Sequence, residues 1–346
     1  MPTTSLRERT RQIGLVIVSL AIGLIALELG LRAANGWLGT WPNFVLAART
    51  VLTGFQATQY VHDDTLGYVP RPGYATPDVH IDAGGLRITG DAPASGAPLL
   101  AVGDSYTYGE EVKDAETWPA HLQQLTGRRV LNAGVAGYGF DQIVLRAEKL
   151  VPALSPSAVV VSFIADDLRR AESSRLWSAD KPYFDIDGGK LVLRNVPVPP
   201  RTDPRRTLSF VQKTLGYSYL VDFIMRRLNL LEDWFGDHIR VHPAGTGETI
   251  ACLLADRLHD LQRASGAPLL LVAQYDPYVF KTPAFGEEQR RITGRLLECA
   301  RTRGLKVLDT FDAIAKSGEP LGLYGQWHMN DKGNALVAGR IAEALK

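Results

Sequence analysis

From Pro98 onward the sequence alternates between short apolar runs and longer segments with helical periodicity. The strand-like runs are residues 99–102, 129–131, 158–164, 269–273 and 306–308. The helix-like segments are residues 117–125, 141–151, 249–264, 287–303 and 334–345. Strands that are apolar on both faces are typical of a parallel sheet covered by helices on both sides. We therefore predict a three-layer α/β/α sandwich around a parallel, five-stranded, flavodoxin-like sheet.

Polar and glycine-rich segments follow four of the five predicted strands. Gly103-Asp104-Ser105 comes directly after the first strand, and residues 132–139 follow the second. Ala165-Asp166-Asp167 follows the third strand, and residues 324–333 come after the fifth. In an open α/β sheet these segments meet at the carboxyl edge of the strands, where ligands bind. This convergence is what a nucleophile with a base and oxyanion donors requires.

These blocks resemble those of the SGNH hydrolase superfamily, also called GDSL esterases, over roughly residues 97–346. Gly-Asp-Ser at 103–105, Asn-Ala-Gly-Val-Ala-Gly at 132–137 and His-Met-Asn-Asp-Lys-Gly at 328–333 stand in the order of the family. The third block of the family, usually Gly/Leu-x-Asn-Asp, reads Ile-Ala-Asp-Asp at 164–167. The resemblance implies a serine ester hydrolase, for which we expect no cofactor and no metal.

The resemblance also implies a role for each residue. Ser105 would attack an ester carbonyl, and His328 would take the proton of Ser105 and return it to the leaving alcohol. The backbone N–H groups of Ser105 and Gly137 would form the oxyanion hole. Asp166 stands where the family has the asparagine that supplies a third donor. Because an ionised carboxylate only accepts hydrogen bonds, Asp166 turns away, or is protonated, or the hole has two donors.

The carboxylate that usually orients the histidine is missing from its expected place. The residue three before the histidine is Gly325, and the residue two before it is Gln326. Losing this acid can lower turnover by up to ~10⁴ where a triad depends on it. The sequence leaves a Ser–His dyad or a replacement by Asp309, Asp312 or Asp331. Asp309 is preferred, because it directly follows the fifth predicted strand.

The N-terminal region contains an apolar run over residues 13–31, in which Glu28 is charged. This is about the ~20 residues that a helix needs to cross a hydrocarbon core. Arg7, Arg9 and Arg11 precede the run, so the rest of the chain would lie outside the cytoplasm. We predict a cytoplasmic tail at 1–11 and a single transmembrane anchor at 12–33 in the inner membrane. A cleaved signal peptide, whose apolar core is usually ~7–15 residues, is the alternative.

The remaining segments carry weaker signals. Residues 34–96 are predicted as an irregular connector, and residues 97–346 as the hydrolase-like domain with an insertion at about 168–246. Insertions of this length are usually lids or binding elements, and residues 208–234 look helical. Cys252 and Cys299 lie among apolar residues of predicted helices and are interpreted as buried thiols. A disulfide between them stays open for an oxidising compartment.

Two functions compete on these grounds. The first is a membrane-anchored, extracytoplasmic serine esterase or deacetylase, or an acyltransferase, which acts through an acyl-serine. Its substrate would be an ester-bearing small molecule, glycan or lipid of the envelope. The second is a catalytically impaired module of the same fold that binds carbohydrate or an envelope assembly partner. A net charge of +1 argues against nucleic acid as a partner.

Overall fold

The computed structural model describes residues 6–91, 96–236 and 238–346. Within them the helices are α1 Leu6–Ala34, α2 Phe44–Gln59, α3 Ser105–Tyr108, α4 Trp118–Thr126, α5 Phe140–Leu154, α6 Ala165–Arg170, α7 Phe210–Leu215, α8 Tyr219–Arg227, α9 Leu231–Phe235, α10 Thr246–Ser265, α11 Tyr278–Lys281, α12 Pro283–Thr302, α13 Phe311–Ala315 and α14 Asp331–Ala344. The strands are β1 Tyr60–Asp63, β2 Gly67–Pro70, β3 Leu99–Val102, β4 Val130–Asn132, β5 Ala158–Phe163, β6 Ser173–Leu176, β7 Ala179–Asp180, β8 Tyr183–Asp187, β9 Lys190–Arg194, β10 Ile239–Arg240, β11 Leu269–Ala273 and β12 Lys306–Asp309. Met1–Gly54 with Thr202–His238 form one compact unit, and Phe55–Arg201 with Ile239–Lys346 form a second.

The second unit contains the predicted parallel sheet. Its five strands lie in the order β12-β11-β5-β3-β4, and every neighbouring pair is parallel. Leu99 lies opposite Ala158 on one side and Val130 on the other. This is the flavodoxin-like strand order, so the predicted fold is confirmed. Each predicted strand agrees with the structure to within one residue at either end.

Helices cover both faces of this sheet, because each presents an apolar stripe to it. In α5 the residues Ile143, Val144, Ala147 and Val151 recur at helical spacing and are buried. Helices α5, α10 and α12 pack side by side, and α4 packs against α14. Strands β3 and β5 are buried along their whole length between these layers. Each aliphatic side chain buried in this way contributes about 1.5–3 kcal/mol.

The order of the strands creates a crevice at the carboxyl edge. Strands β3 and β5 are neighbours in the sheet, although β4 lies between them in the chain. Crossovers from such a pair leave in opposite directions, and this is where open α/β sheets bind ligands. Helix α3 begins with Ser105 just after β3, and α6 begins with Ala165 just after β5.

The first unit combines the N-terminal helix with part of the predicted insertion. Residues Arg7–Ala34 are long and apolar enough to cross a membrane, a test that a signal sequence near the N-terminus also passes. Helices α2, α8 and α9 contribute to a small core around Val45, Leu208 and Trp234. The helical segment expected at 208–234 is divided into α7, α8 and α9.

Two sequence-based interpretations are wrong. The described part of the segment 34–96, which excludes residues 92–95, is not irregular, since it contains α2 and the antiparallel pair of β1 and β2. Residues distant in the sequence hold α2 in place: the Asn43 side chain, just before α2, donates a hydrogen bond to the Gln212 carbonyl at 2.9 Å. A local sequence pattern does not reveal such a contact. Cys252 and Cys299 are not free thiols but form a disulfide, because α10 and α12 bring their Cα atoms to 5.4 Å.

Candidate active site

Ser105 lies in a tight turn between β3 and α3. The buried carboxylate of Asp104 accepts a hydrogen bond from the Tyr106 N–H at 3.0 Å and caps α3. A Cβ atom on Gly103 would collide with the Thr107 hydroxyl, so this turn requires glycine. The Ser105 side chain is thereby fixed at the carboxyl edge of the sheet.

The structure brings His328 to this serine. The Nε2 atom of His328 lies 2.9 Å from Ser105 Oγ. The histidine belongs to the loop before α14, where the Gly325 N–H donates to the His328 carbonyl at 2.8 Å. The Tyr106 ring packs beside the imidazole, with 5.0 Å between ring centroids. A serine and an imidazole in this arrangement can act as nucleophile and base.

Glu111, which the sequence analysis missed, faces the other nitrogen of the imidazole. Its Oε1 atom lies 3.3 Å from His328 Nδ1. The same carboxylate accepts hydrogen bonds from the N–H groups of Gln326 at 2.8 Å and Trp327 at 3.0 Å. A carboxylate here favours the tautomer with hydrogen on Nδ1, which leaves Nε2 free to accept the Ser105 proton.

Glu111 occupies the space that belongs to the residue three before the histidine. A Cβ atom on Gly325 would lie only 2.5 Å from Glu111 Oε2. Glycine at this position therefore makes room for the glutamate. The backbone of Glu111 has a φ of 69°, a conformation that costs of order 1–3 kcal/mol in a non-glycine residue. The available signals were two acidic residues just after the Gly-Asp-Ser block and the glycine at 325.

The carboxylates preferred on sequence grounds are engaged elsewhere. Asp309 accepts a hydrogen bond from the Tyr275 hydroxyl at 2.9 Å. Asp312 and Asp331 are paired with other basic side chains. The interpretation of Asp309 as the orienting acid is therefore wrong, and the Ser–His pair is not without a carboxylate.

A second carboxylate, Glu110, lies at the reacting side of the ring. Its Oε2 atom is 3.3 Å from His328 Nε2. Burial raises the pKa of Glu110, although the nearby imidazole acts against this. Partial burial also acts to raise the pKa of Glu111, but hydrogen bonds from the Trp327 amide and the His328 ring outweigh it and lower that pKa. The two adjacent glutamates thus differ in environment, as carboxylates with different tasks do.

Gly137 lies in the loop after β4, beside the nucleophile turn. The Val135 N–H of this loop donates to the Gly103 carbonyl at 3.0 Å, which ties the two segments together. Gly137 has a φ of 77°, and a Cβ atom there would lie 2.7 Å from Trp177 Nε1 and 3.0 Å from the Tyr68 hydroxyl oxygen. Both the backbone conformation and the surrounding side chains therefore require glycine.

The aspartates after β5 have different partners. The Asp166 side chain is 46% exposed and forms an ion pair with Arg169. Asp167 is buried and accepts from Arg170 Nη1 at 2.7 Å, and the same nitrogen lies 3.7 Å from Asp104 Oδ2. Burial raises the pKa of both Asp104 and Asp167, and the Arg170 guanidinium opposes it. The cluster of Asp104, Arg170 and Asp167 braces the nucleophile turn against α6.

Exposed aromatic rings border the site. Trp327, directly before His328, is 51% exposed. Its ring lies 5.8 Å from the ring of Tyr278, which is also exposed. The Tyr106 hydroxyl donates to the Trp327 carbonyl at 3.0 Å and helps to hold this residue in place. These rings offer an apolar surface next to the imidazole.

The assembled groups suit acyl transfer through a serine. They include a serine hydroxyl, an imidazole within hydrogen-bond distance of it and a carboxylate at the other ring nitrogen, which are the groups such chemistry requires. Across residues 6–91, 96–236 and 238–346, no group of three or more His, Cys, Asp and Glu side chains is arranged to hold a metal ion.

A known protein family and several solved structures are similar to this chain. The model of the GDSL-like lipase/acylhydrolase family matches residues 101–336. A lipase/acylhydrolase from Enterococcus faecalis is 14% identical, with 72% of this chain and 95% of that chain covered and a TM-score of 0.41. A catalytic mutant of an acetylxylan esterase from Geobacillus stearothermophilus is also 14% identical, with 74% and 96% covered and a TM-score of 0.41. No curated protein matches the chain.

Proposed function

The chain belongs to the GDSL-like lipase/acylhydrolase family, and from this premise we propose that Ser105, His328 and Glu111 form the catalytic triad of a serine ester hydrolase. The observation that carries the proposal is the 2.9 Å distance between His328 Nε2 and Ser105 Oγ. It is supported by the Glu111 carboxylate on the opposite side of the ring.

The reaction would proceed in two steps. His328 Nε2 takes the proton of Ser105 as Oγ attacks the ester carbonyl carbon, and the imidazolium then donates this proton to the departing alcohol oxygen. In the second step water attacks the acyl-serine, its proton passes to Nε2 and then to Ser105 Oγ, and the carboxylic acid is released. Glu111 keeps hydrogen on Nδ1 throughout and stabilises the imidazolium.

The negative charge on the carbonyl oxygen would be stabilised by two backbone donors, the N–H groups of Ser105 and Gly137. One such donor contributes on the order of 3–4 kcal/mol to transition-state stabilisation. Asp166 would not contribute, since its carboxylate is held by Arg169 and has no hydrogen to donate when ionised.

For the substrate we propose an uncharged O-acyl sugar of an envelope glycan, with acetate as the acyl group. The exposed rings of Trp327 and Tyr278 offer flat apolar faces of the kind on which sugar C–H groups pack. Glu110 adds a carboxylate on the Nε2 side of the imidazole that can accept a hydrogen bond from a sugar hydroxyl and repel anionic esters.

We propose that α1 anchors the protein in the inner membrane with the hydrolase unit on the extracytoplasmic side. Support comes from the apolar length of α1 and from the arginines that precede its apolar run. The disulfide of Cys252 and Cys299 also supports this location, because such bonds persist in oxidising compartments.

A fluorophosphonate probe tests the enzymatic part of this proposal. The full-length protein in detergent should be labelled covalently at Ser105 and should hydrolyse p-nitrophenyl acetate. Ser105→Ala and His328→Ala should abolish both signals, while Ser157→Ala, which changes a serine at the amino end of β5, should leave them unchanged. A folded wild-type protein that neither reacts with the probe nor turns over the ester would favour a binding module instead.

A further inference from the structure

The first compact unit exposes large apolar side chains well beyond the apolar run of α1. On α7 and just after it, Phe210 is 80% exposed, and Val211, Leu215 and Tyr217 are about half exposed. The segment after α8 continues this surface with Leu228. Soluble surfaces seldom collect so many large apolar groups without a partner.

Helix α8 is fastened to α1 through Glu28. The Glu28 carboxylate accepts hydrogen bonds from the Tyr219 N–H at 2.8 Å and the Leu220 N–H at 2.7 Å, and from the Ser218 hydroxyl at 2.9 Å. It thus binds the free N–H groups at the start of α8, where a negative charge is favourable. This contact fixes the position of the start of α8 along the axis of α1.

Arg32 extends the same junction. It is wholly buried, forms an ion pair with Glu28 at 2.6 Å and donates to the carbonyls of Tyr217 and Thr40. The ring of Trp41 lies 3.8 Å from its guanidinium carbon. Glu28 and Arg32 therefore neutralise each other near the end of an apolar helix, and hydrogen bonds with residues 217–220 hold α8 at this pair.

The position of Glu28 places these segments at a bilayer surface. Glu28 lies three residues before the end of the apolar run at Leu31, or about 4.5 Å along the helix axis. A helix is ~10 Å across, so α8 and the adjoining end of α7 meet the boundary between acyl chains and headgroups. Trp37 and Trp41, both exposed, lie at the same end of α1, as tryptophans do at membrane interfaces.

We propose that α7, α8 and residues 228–230, which we call the foot, lie in the membrane interface with their apolar side chains among the lipids. The inference rests on the proposed anchoring by α1 and extends it, since part of the predicted insertion becomes a membrane-binding element. The bilayer is the occupant that we favour, because in the proposed anchoring it surrounds the helix to which the foot is fastened.

Site-specific fluorescence in nanodiscs of phosphatidylcholine and phosphatidylglycerol tests the proposal on the full chain. The native cysteines are joined in a disulfide, so an environment-sensitive dye can be attached separately to Leu24→Cys, Phe210→Cys or Leu228→Cys. Interfacial helices bury their apolar face ~5–10 Å deep. Nitroxide lipids labelled near the headgroup should therefore lower the fluorescence of a dye at position 210 or 228 about twofold or more. Iodide in the water should quench both far less than it quenches the free dye.

The dye at position 24 separates the two proposals. Lipid quenching at 24 together with full iodide quenching at 210 and 228 would overturn the foot and leave the anchor intact. Full iodide quenching at all three positions would overturn both. Phe210 and Leu228 are solvent-exposed in the fold, so unchanged melting temperatures are expected for the labelled variants.

Discussion

Replacing Glu111 by glutamine is expected to lower ester turnover without unfolding the protein. With its oxygen at the position of Oε1, the new amide would still accept from the Trp327 N–H and from His328 Nδ1–H, and would lose the hydrogen bond from the Gln326 N–H. What the change removes is the negative charge 3.3 Å from His328 Nδ1. This charge stabilises the imidazolium that forms in the transition state, so the loss should appear in kcat and not in KM.

The magnitude follows from the exposure of the pair. Opposite unit charges about 4 Å apart attract by about 1 kcal/mol in water and about 4 kcal/mol near a protein surface. The side chains of Glu111 and His328 are 28% and 17% exposed, between these environments. A loss of about 1–4 kcal/mol lowers kcat about five- to a thousandfold. This is smaller than the ~10⁴-fold effect at a fully buried triad aspartate.

The assay is steady-state hydrolysis of p-nitrophenyl acetate by the full-length protein, together with the rate of fluorophosphonate labelling. Glu298→Gln, which changes an exposed glutamate of α12 in a surface ion pair with Arg301, is the matched control and should leave kcat unchanged. A value of kcat within twofold of wild type for Glu111→Gln, with the fold intact, would refute the role of Glu111.

Moving the carboxylate back to position 325 provides a stricter form of the same test. Gly325→Asp alone should lower kcat, because its Cβ would lie 2.5 Å from Glu111 Oε2. In a Glu111→Ala background that space is empty, so the added Gly325→Asp should raise kcat above that of Glu111→Ala. The same substitution is thus expected to act with opposite sign in the two backgrounds, which a generally disruptive change would not do.

Three further predictions concern two carboxylates near the site and the disulfide. Asp166→Asn should raise kcat about tenfold or more, since an amide donor at the oxyanion is worth ~10²–10³; Asp166→Ala, which adds no donor, should not match it, and an unchanged kcat for Asp166→Asn would contradict a donor role at this position. Burial raises the pKa of Glu110, so this side chain becomes protonated at a higher pH than an ordinary glutamate does. The protonated carboxyl can then donate a hydrogen bond to His328 Nε2 and displace the one from Ser105 Oγ. Glu110→Ala should therefore shift the acid limb of the kcat/KM profile to lower pH, and an unchanged limb would contradict this. The disulfide joins two cysteines with a sequence separation of 47. Replacement of both cysteines by serine should lower the free energy of unfolding by about 2–4 kcal/mol in urea titrations.

The sheet could be predicted because its strands are defined by local pattern. Runs such as β3 and β5 are apolar on both faces, and in a chain of alternating elements this arrangement fits a parallel sheet with two helical layers. The carboxyl edge followed from the topology, and with it the proximity of the loops that hold Ser105 and His328. The sequence is therefore sufficient to predict that Ser105 and His328 lie close together, and in the structure they are 2.9 Å apart.

The segments that were misjudged depend on partners far away in the chain. Helix α2 is held by a carbonyl of α7, which accepts a hydrogen bond from Asn43 just before α2. The two cysteines pair because α10 and α12 happen to lie side by side. In each case the local sequence is compatible with several conformations, and tertiary contacts select one of them.

The position of Glu111 shows how a carboxylate can face the imidazole although the motif residue is absent. In the proposed triad the imidazole has a carboxylate at Nδ1, and nothing in the geometry of the sheet requires this carboxylate to come from the histidine's own loop. Here the loop after α3 reaches the same point, because Gly325 leaves the space open and the backbone at Glu111 turns through a φ of 69°. That backbone cost is offset by the hydrogen bonds from Gln326 and Trp327, which would otherwise lack this acceptor. A glycine at 325 is therefore better interpreted together with a nearby acidic loop than as the mark of a decayed site.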